Sequence, residues 1–222
     1  VYKRQFVGCL DNSSNQSKVK TIKPNISSKK SVDDKMEKVK TKVVDTVNKT
    51  SSIAKVIDIH KEPIQPLELP NDLDSKKVEL GKILFHDKRL SKDNSISCAS
   101  CHALNKGGTD QTDVSIGVGG VKGPINSPTV YNSGYNFAQF WDGRSKDLED
   151  QASGPVHNPK EMASNWAEVI AKLQKDAAFM TKYKAVYGDD LIGKNMANAI
   201  AEFERSLVTV NSRFDQYLKG CL

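Results

Sequence analysis

The stretch Cys98-Ala99-Ser100-Cys101-His102 decides how the rest of the sequence is read. Its spacing, C-x-x-C-H, is that of a covalent c-type haem site. Each cysteine can add its sulfur across a vinyl group of the porphyrin, and the two residues between them let one helical turn present both sulfurs to one edge of the ring. His102 follows directly, so its imidazole can reach the iron as the proximal ligand. A dithiol redox pair, half a zinc site and a chance spacing are the competing readings. A dithiol redox pair would sit near a βαβ pattern, which the sequence lacks. A zinc site would need a second Cys/His pair, and none stands nearby. One such motif predicts one covalent haem c.

Downstream, residues 107–128 hold Gly107-Gly108-Thr109-Asp110, then Ser115 to Gly120, then Gly123-Pro124-Ile125-Asn126-Ser127-Pro128. Glycines abound and helix formers are few, so this is a long loop, and such loops in compact domains are usually functional. A glycine loop can lie close against a flat cofactor. Tyr131, Tyr135, Phe137, Phe140 and Trp141 then bring aromatics together, as core or as cofactor wall. A short helix is expected over 147–151, and Gly154-Pro155-Val156-His157-Asn158-Pro159 reads as a turn that delivers Glu161 and Met162. Asn165 with Glu168 predicts a capping pair for a helix bearing Trp166, Val169, Ile170 and Leu173. A second helix over 177–187 should stop at Gly188. A third over 194–208 repeats Met196, Ile200, Phe203 and Leu207 on one face.

Upstream, Asp74 or Ser75 can cap a helix carrying Val78, Leu80, Ile83, Leu84 and Phe85, closed by His86 and Asp87. His86 has the chemistry of a metal ligand, but a surface histidine at a helix end is the preferred reading. No alternating strand pattern appears. The predicted class is therefore all-α, a cytochrome c-like haem domain with long loops over residues 66–222. Residues 1–65 are expected to be a disordered, low-complexity tether: between Phe6 and Phe85 there is no aromatic residue, and Lys, Ser, Asn and Thr dominate. Short amphipathic fragments such as 39–47 are transient helix at most. Pro63, Pro66 and Pro70 mark the boundary.

The 222 residues carry a formal net charge of +6, much of it on tether lysines, and no aromatic interleaving or motif accompanies it. Nucleic-acid binding is accordingly not expected. Of four cysteines, two belong to the haem motif, and Cys9 and Cys221 lie near the ends, where a mutual disulfide is poorly motivated. Phe6-Val7-Gly8-Cys9 looks like the end of a lipoprotein signal, with Cys9 as the lipidated residue and the polar run as its tether. A free cysteine is the alternative, and both stay open. Haem attachment to C-x-x-C-H points to an extracytoplasmic compartment, hence the periplasm, with a lipid anchor through Cys9 as the second expectation.

Residues 78–220 resemble the N-terminal domain of bacterial di-haem cytochrome c peroxidases. The motifs that carry the resemblance are ELGKILF, LSKDNSISCASCH, GGTD, VSIGVGG, GPINSPTV, NFAQFWDGR, EDQASGPVHNPKEM and NSRFDQYL. The resemblance implies a peroxidatic haem held through Cys98 and Cys101, with His102 on its iron. It implies Glu161 as the distal acid/base carboxylate, Gln151 as a distal amide, and Phe140 and Trp141 as aromatics of the site, Trp141 lying towards a second haem. Asn126 matches a calcium ligand whose companions come from the family's second domain. That domain carries its own C-x-x-C-H, and the tail 219–222 is expected to be a cut end. Many members place a removable histidine on the iron from the loop that here reads Ser115-Ile116-Gly117-Val118-Gly119; Val118 stands at that position, which implies an open site. Met162 is the substitute ligand considered. Hydrogen peroxide as substrate, a small c-type cytochrome or cupredoxin as electron donor, and a homodimer at full length complete what the family implies. A mono-haem electron-transfer cytochrome and a di-haem oxidase that modifies a partner protein, like the methylamine-utilisation maturation enzyme, are the alternatives.

Overall fold

The computed structural model describes residues 63–221. Residues 1–62, which hold most of the expected tether together with Cys9 and His60, lie outside them. Among the described residues seven α-helices run in order: α1 (Ser75–His86), α2 (Cys98–Cys101), α3 (Leu148–His157), α4 (Trp166–Leu173), α5 (Ala177–Tyr187), α6 (Gly193–Arg205) and α7 (Arg213–Leu218). Among the described residues there is no strand, only the isolated bridges Ile116–Lys122 and Gln139–Ser145. The all-α class expected from the sequence is what the chain adopts. Residues 67–212 form one compact unit, and α7 belongs to a second.

The first unit is built on the crossing of α1 and α6. Asp74 starts α1 by accepting from the backbone N–H groups of Lys76 and Lys77 at 2.9 and 3.3 Å. Leu80, Leu84 and Phe85 of α1 are buried against Met196, Ile200 and Phe203 of α6, whose i, i+4, i+7 spacing lines one helical face. The Phe85 and Phe203 rings meet edge to face at 5.2 Å. The crossing is close enough that a Cβ on Gly81 would stand 1.8 Å from the Ala199 carbonyl oxygen. Only glycine fits there.

Helix α3 packs on the other flank of α6. Arg205 of α6 grips both carboxylate oxygens of Glu149 on α3, at 2.6 and 2.8 Å. Asp147 caps α3 by accepting from Asp150 N at 2.8 Å. Here the structure corrects one expectation: the helix does not stop at residue 151 but continues through Gly154 and Pro155 to His157. Pro155 forfeits only its own N–H bond, and the turn around it buries Val156 in the core. The Gly154 carbonyl then accepts from Asn158 N at 3.0 Å, which ends the helix.

The other helices follow the sequence closely. Asn165 and Glu168 cap α4 reciprocally, each bond 3.0 Å. Gly188 ends α5 at φ 73°. Helix α6 starts one residue early and ends at Arg205 rather than 208, where the Ser206 hydroxyl turns back to the Phe203 carbonyl at 2.6 Å. Lys172 of α4 donates to the carbonyls of Arg89, Ser91 and Lys92 at 3.3, 2.6 and 3.1 Å. That ammonium pins the turn leading into α2, the helix that carries the two cysteines.

Gly81→Ala should force the α1–α6 crossing apart and cost about 1–3 kcal/mol, the usual range for overpacking a tight core. Chemical denaturation of the haem-loaded protein measures it. Stability equal to the wild type would show that the crossing is looser than described.

Candidate haem-binding and active site

Helix α2 is a single turn, long enough for Cys98 and Cys101 to share a face. Ser97 N donates to the Ser100 hydroxyl at 2.9 Å, fixing the turn's start. Both cysteines are free thiols and half-buried. Burial pushes both thiols up; at Cys98 the charge of Glu204 adds to this, while at Cys101 the hydroxyls of Ser115 and Ser127 oppose it. Those two hydroxyls bond each other at 2.5 Å.

His102 closes α2. Its Nδ1 lies 3.0 Å from the Pro128 carbonyl oxygen and 3.3 Å from that of Gly108. Carbonyls only accept, so Nδ1 carries the proton and Nε2 keeps its lone pair. Burial holds the imidazole below its ordinary range, so it is neutral. Two free sulfurs one turn apart and a neutral imidazole with its far nitrogen unprotonated are the donor set that covalent haem requires, and the residues fit that group.

Glu161 comes from the segment after α3. Asn158 donates from its side-chain nitrogen to Glu161 Oε1 at 2.7 Å, and Glu161 N returns to the Asn158 carbonyl at 3.0 Å. Burial raises the Glu161 carboxyl, against the hydrogen bond from Asn158 and the charge of Arg144. The glycine loop is tied to Glu161 directly. Val118 N donates to the Glu161 carbonyl at 2.8 Å, and a Cβ on Gly117 would stand 2.1 Å from the Lys160 carbonyl oxygen.

Phe140 is half-buried and sits at φ 67°, a conformation that aims its ring at Gly154, where a Cβ would meet the ring at 2.8 Å. The Arg144 guanidinium lies over that ring, 3.5 Å from its centre. Gln151 is half-buried on α3, three residues before Gly154 and so on the same face. Trp141 is 62% exposed and donates from Nε1 to the Asn126 carbonyl at 3.2 Å. That joins two expected site residues to each other, away from the buried cluster. Asn126 is exposed, and among the described residues no group of three or more His, Cys, Asp or Glu gathers to hold a metal.

Met162 packs in the hydrophobic core among the helices. His86 and His157 turn Nδ1 to carbonyls of their own helices, Lys82 and Ser153. Sequence reading passed over Asn158, Arg144, Ser115 and Ser127. Asn158 and Glu161 do form an N-x-x-E spacing that signals a local capping bond. Nothing in the sequence marks Arg144 as a neighbour of Phe140.

A family profile described as di-haem cytochrome c peroxidase matches residues 75–221. The chain is 55% identical over 160 residues to "Cytochrome c peroxidase Ccp" of Escherichia coli (strain K12), covering 72% of this chain and 34% of that protein. It is 49% identical over 163 residues to "Cytochrome c551 peroxidase" of Nitrosomonas europaea, covering 72% and 48%. Among solved structures, a MauG-like protein associated with microbial copper homeostasis superposes with a TM-score of 0.64 at 32% identity, covering 72% of this chain and 49% of that one. The chain thus spans about a third to a half of the length of these proteins.

Gly117→Ala should push the loop off the Lys160 carbonyl and shift Glu161 with it. The expected result is a melting temperature below that of the wild type, read by thermal unfolding. An unchanged melting temperature would show that the loop does not rest on that carbonyl.

Proposed function

The chain belongs to the di-haem cytochrome c peroxidase family, and we propose that residues 66–222 form the haem-bearing domain in which hydrogen peroxide is reduced to water. The observation that carries the reading is Glu161, whose carboxyl is aimed by Asn158 at 2.7 Å and whose carbonyl ties down, at 2.8 Å, the glycine loop that follows the C-x-x-C-H motif. Cys98, Cys101 and His102 Nε2 would hold a covalent haem c, which would supply a metal able to bind peroxide and pass electrons to it.

The rest is proton handling by this chain. Peroxide cleavage needs a proton moved from the inner oxygen to the outer one. Glu161 in its carboxylate form takes that proton and, as an acid, returns it to the departing oxygen. The bond from Asn158 Nδ2 holds one carboxylate oxygen and leaves Oε2 for the proton. Phe140, against Gly154 and under the Arg144 guanidinium, is the pocket aromatic in this reading, and Gln151 supplies an amide on the same face of α3 as Gly154. Val118 stands where many members carry a histidine, so this position would offer no imidazole to a bound haem.

Peroxide reduction consumes two electrons and two protons. Their source is a one-electron donor of the small c-type cytochrome or cupredoxin class, relayed through a second haem in the remaining half of the protein. Trp141, exposed and bonded to Asn126, is the residue of this domain on that route, and Asn126 contributes to a calcium site completed by the other half. The compartment is the periplasm, with Cys9 as lipid anchor and a homodimer as the full-length state. The mono-haem carrier reading finds no support in Met162, which lies in the core. The partner-modifying oxidase reading rests on lower similarity, 34% to the methylamine utilization protein MauG of Methylophilus methylotrophus against 55% to the Escherichia coli peroxidase.

Stopped-flow mixing of haem-loaded protein with peroxide tests the assignment. Glu161→Gln should slow peroxide cleavage by about 10²–10⁴-fold, the usual weight of a general acid–base group. The wild-type rate should rise with pH through the carboxyl's raised value, since the ionised form is the base, and the variant should lose that rise. An unchanged rate in Glu161→Gln removes the residue from the reaction. A second expected outcome concerns the iron. The resting electron paramagnetic resonance spectrum should contain a high-spin ferric signal, which Val118→His converts to low-spin; a purely low-spin wild type would refute the open site.

A further inference from the structure

Lys172 of α4 directs its ammonium at backbone. Its Nζ donates to the carbonyl oxygens of Arg89, Ser91 and Lys92 at 3.3, 2.6 and 3.1 Å. An ammonium has three N–H donors, and three carbonyls of one turn meet them. The turn is drawn in further by the buried Ser91, whose hydroxyl donates to the Lys88 carbonyl at 2.9 Å and accepts from Ile96 N at 3.3 Å. Its far end runs into Cys98. Its middle reaches elsewhere: Lys92 N donates to the carbonyl of Met162, the residue after Glu161, at 2.9 Å.

We propose that Lys172 is a positioning residue for Glu161. It orients the Ser91–Lys92 peptide, whose N–H holds the Met162 carbonyl and so fixes the backbone on which the Glu161 carboxyl stands. The inference rests on the acid–base reading of Glu161.

The Ser91 carbonyl and the Lys92 N–H belong to one planar peptide and point to opposite sides of it. The ammonium on the oxygen, the shortest of its three bonds, therefore sets the direction in which the N–H points. A cation on the carbonyl also polarises the peptide and strengthens the bond that its N–H donates. The Glu161 segment needs that support. Ala163 lies at φ 51°, a left-handed conformation that a residue with a Cβ adopts only when its surroundings hold it there. Val118 N holds the Glu161 carbonyl at 2.8 Å, and Lys92 N holds the next one. Two consecutive carbonyls are thus pinned by the stretches on either side of Cys98-Ala99-Ser100-Cys101-His102, one before it and one after. Without the ammonium, three carbonyls lose their donor and the peptide is free to turn its N–H away from Met162.

The test is stopped-flow mixing of the haem-loaded protein with peroxide, with rates taken per haem. Lys172→Ala should slow cleavage by about 10–10²-fold, the weight of a small misplacement of a reacting group. It should also flatten the rise with pH that Glu161 gives the wild type. In the Glu161→Gln background the same change should slow the reaction no further, because a residue that acts through Glu161 has nothing left to position. Ethylammonium fits the space of the missing side-chain end and donates N–H bonds, so it should restore the rate and the pH profile. Tetramethylammonium, equally charged but without an N–H, should not. A wild-type rate in Lys172→Ala overturns the proposal, as does equal slowing in both backgrounds or a loss that ethylammonium leaves unchanged. Should Lys172→Ala fail to fold, Lys172→Met, which keeps the apolar stem, carries the same comparison in both backgrounds. A Glu161→Gln protein as fast as the wild type overturns the acid–base reading and this one together; a slow Glu161→Gln beside a fast Lys172→Ala overturns this one alone.

Discussion

The hydrogen bond from Val118 N to the Glu161 carbonyl, 2.8 Å long, is the contact on which the rest of the site depends. It joins two stretches that arrive from different directions. The glycine loop comes from the cysteine turn, through His102 and its bonds to Gly108 and Pro128. The Glu161 segment comes from the end of α3, which is itself held on α6 by the grip of Arg205 on Glu149. That ion pair is about a third exposed, so its contribution is modest, and the apolar burial of Val156 and Ile200 does more. His102 and Glu161 therefore sit on separate parts of the chain, and one backbone contact sets the register of the two segments. Gly117 makes that contact fit, because no side chain can occupy the space against Lys160.

Much of this was legible in the sequence where local rules govern. The caps at Asp74 and at Asn165 with Glu168, the stop at Gly188 and the buried stripe of α6 depend on residues a few positions apart, and the structure has them. The motif at Cys98, Cys101 and His102 is local too. The misreading at Pro155 came from the same strength applied too far. Proline and glycine usually end helices, yet burial of Val156 outweighs one missing bond. Arg144 over Phe140 was not legible, because its cause is the positive φ of Phe140 and the space left by Gly154, two features fixed only when α3 packs.

Glu161 and Glu204 also show why a carboxyl's role cannot be read from its residue type. Both are raised by burial. Glu161 keeps an amide donor from Asn158, and that bond and the charge of Arg144 oppose the rise. Glu204 is opposed by the charge of Arg205 alone, whose guanidinium is bonded to Glu149 and Glu202. A group that must accept a proton from a reacting oxygen is helped by a donor that steadies its anion, so the carboxyl held by Asn158 suits acid–base work. The bond from Val118 N to the Glu161 carbonyl fixes the backbone of that same residue, so its carboxyl is held from both sides by groups the sequence sets far apart or in a turn of their own.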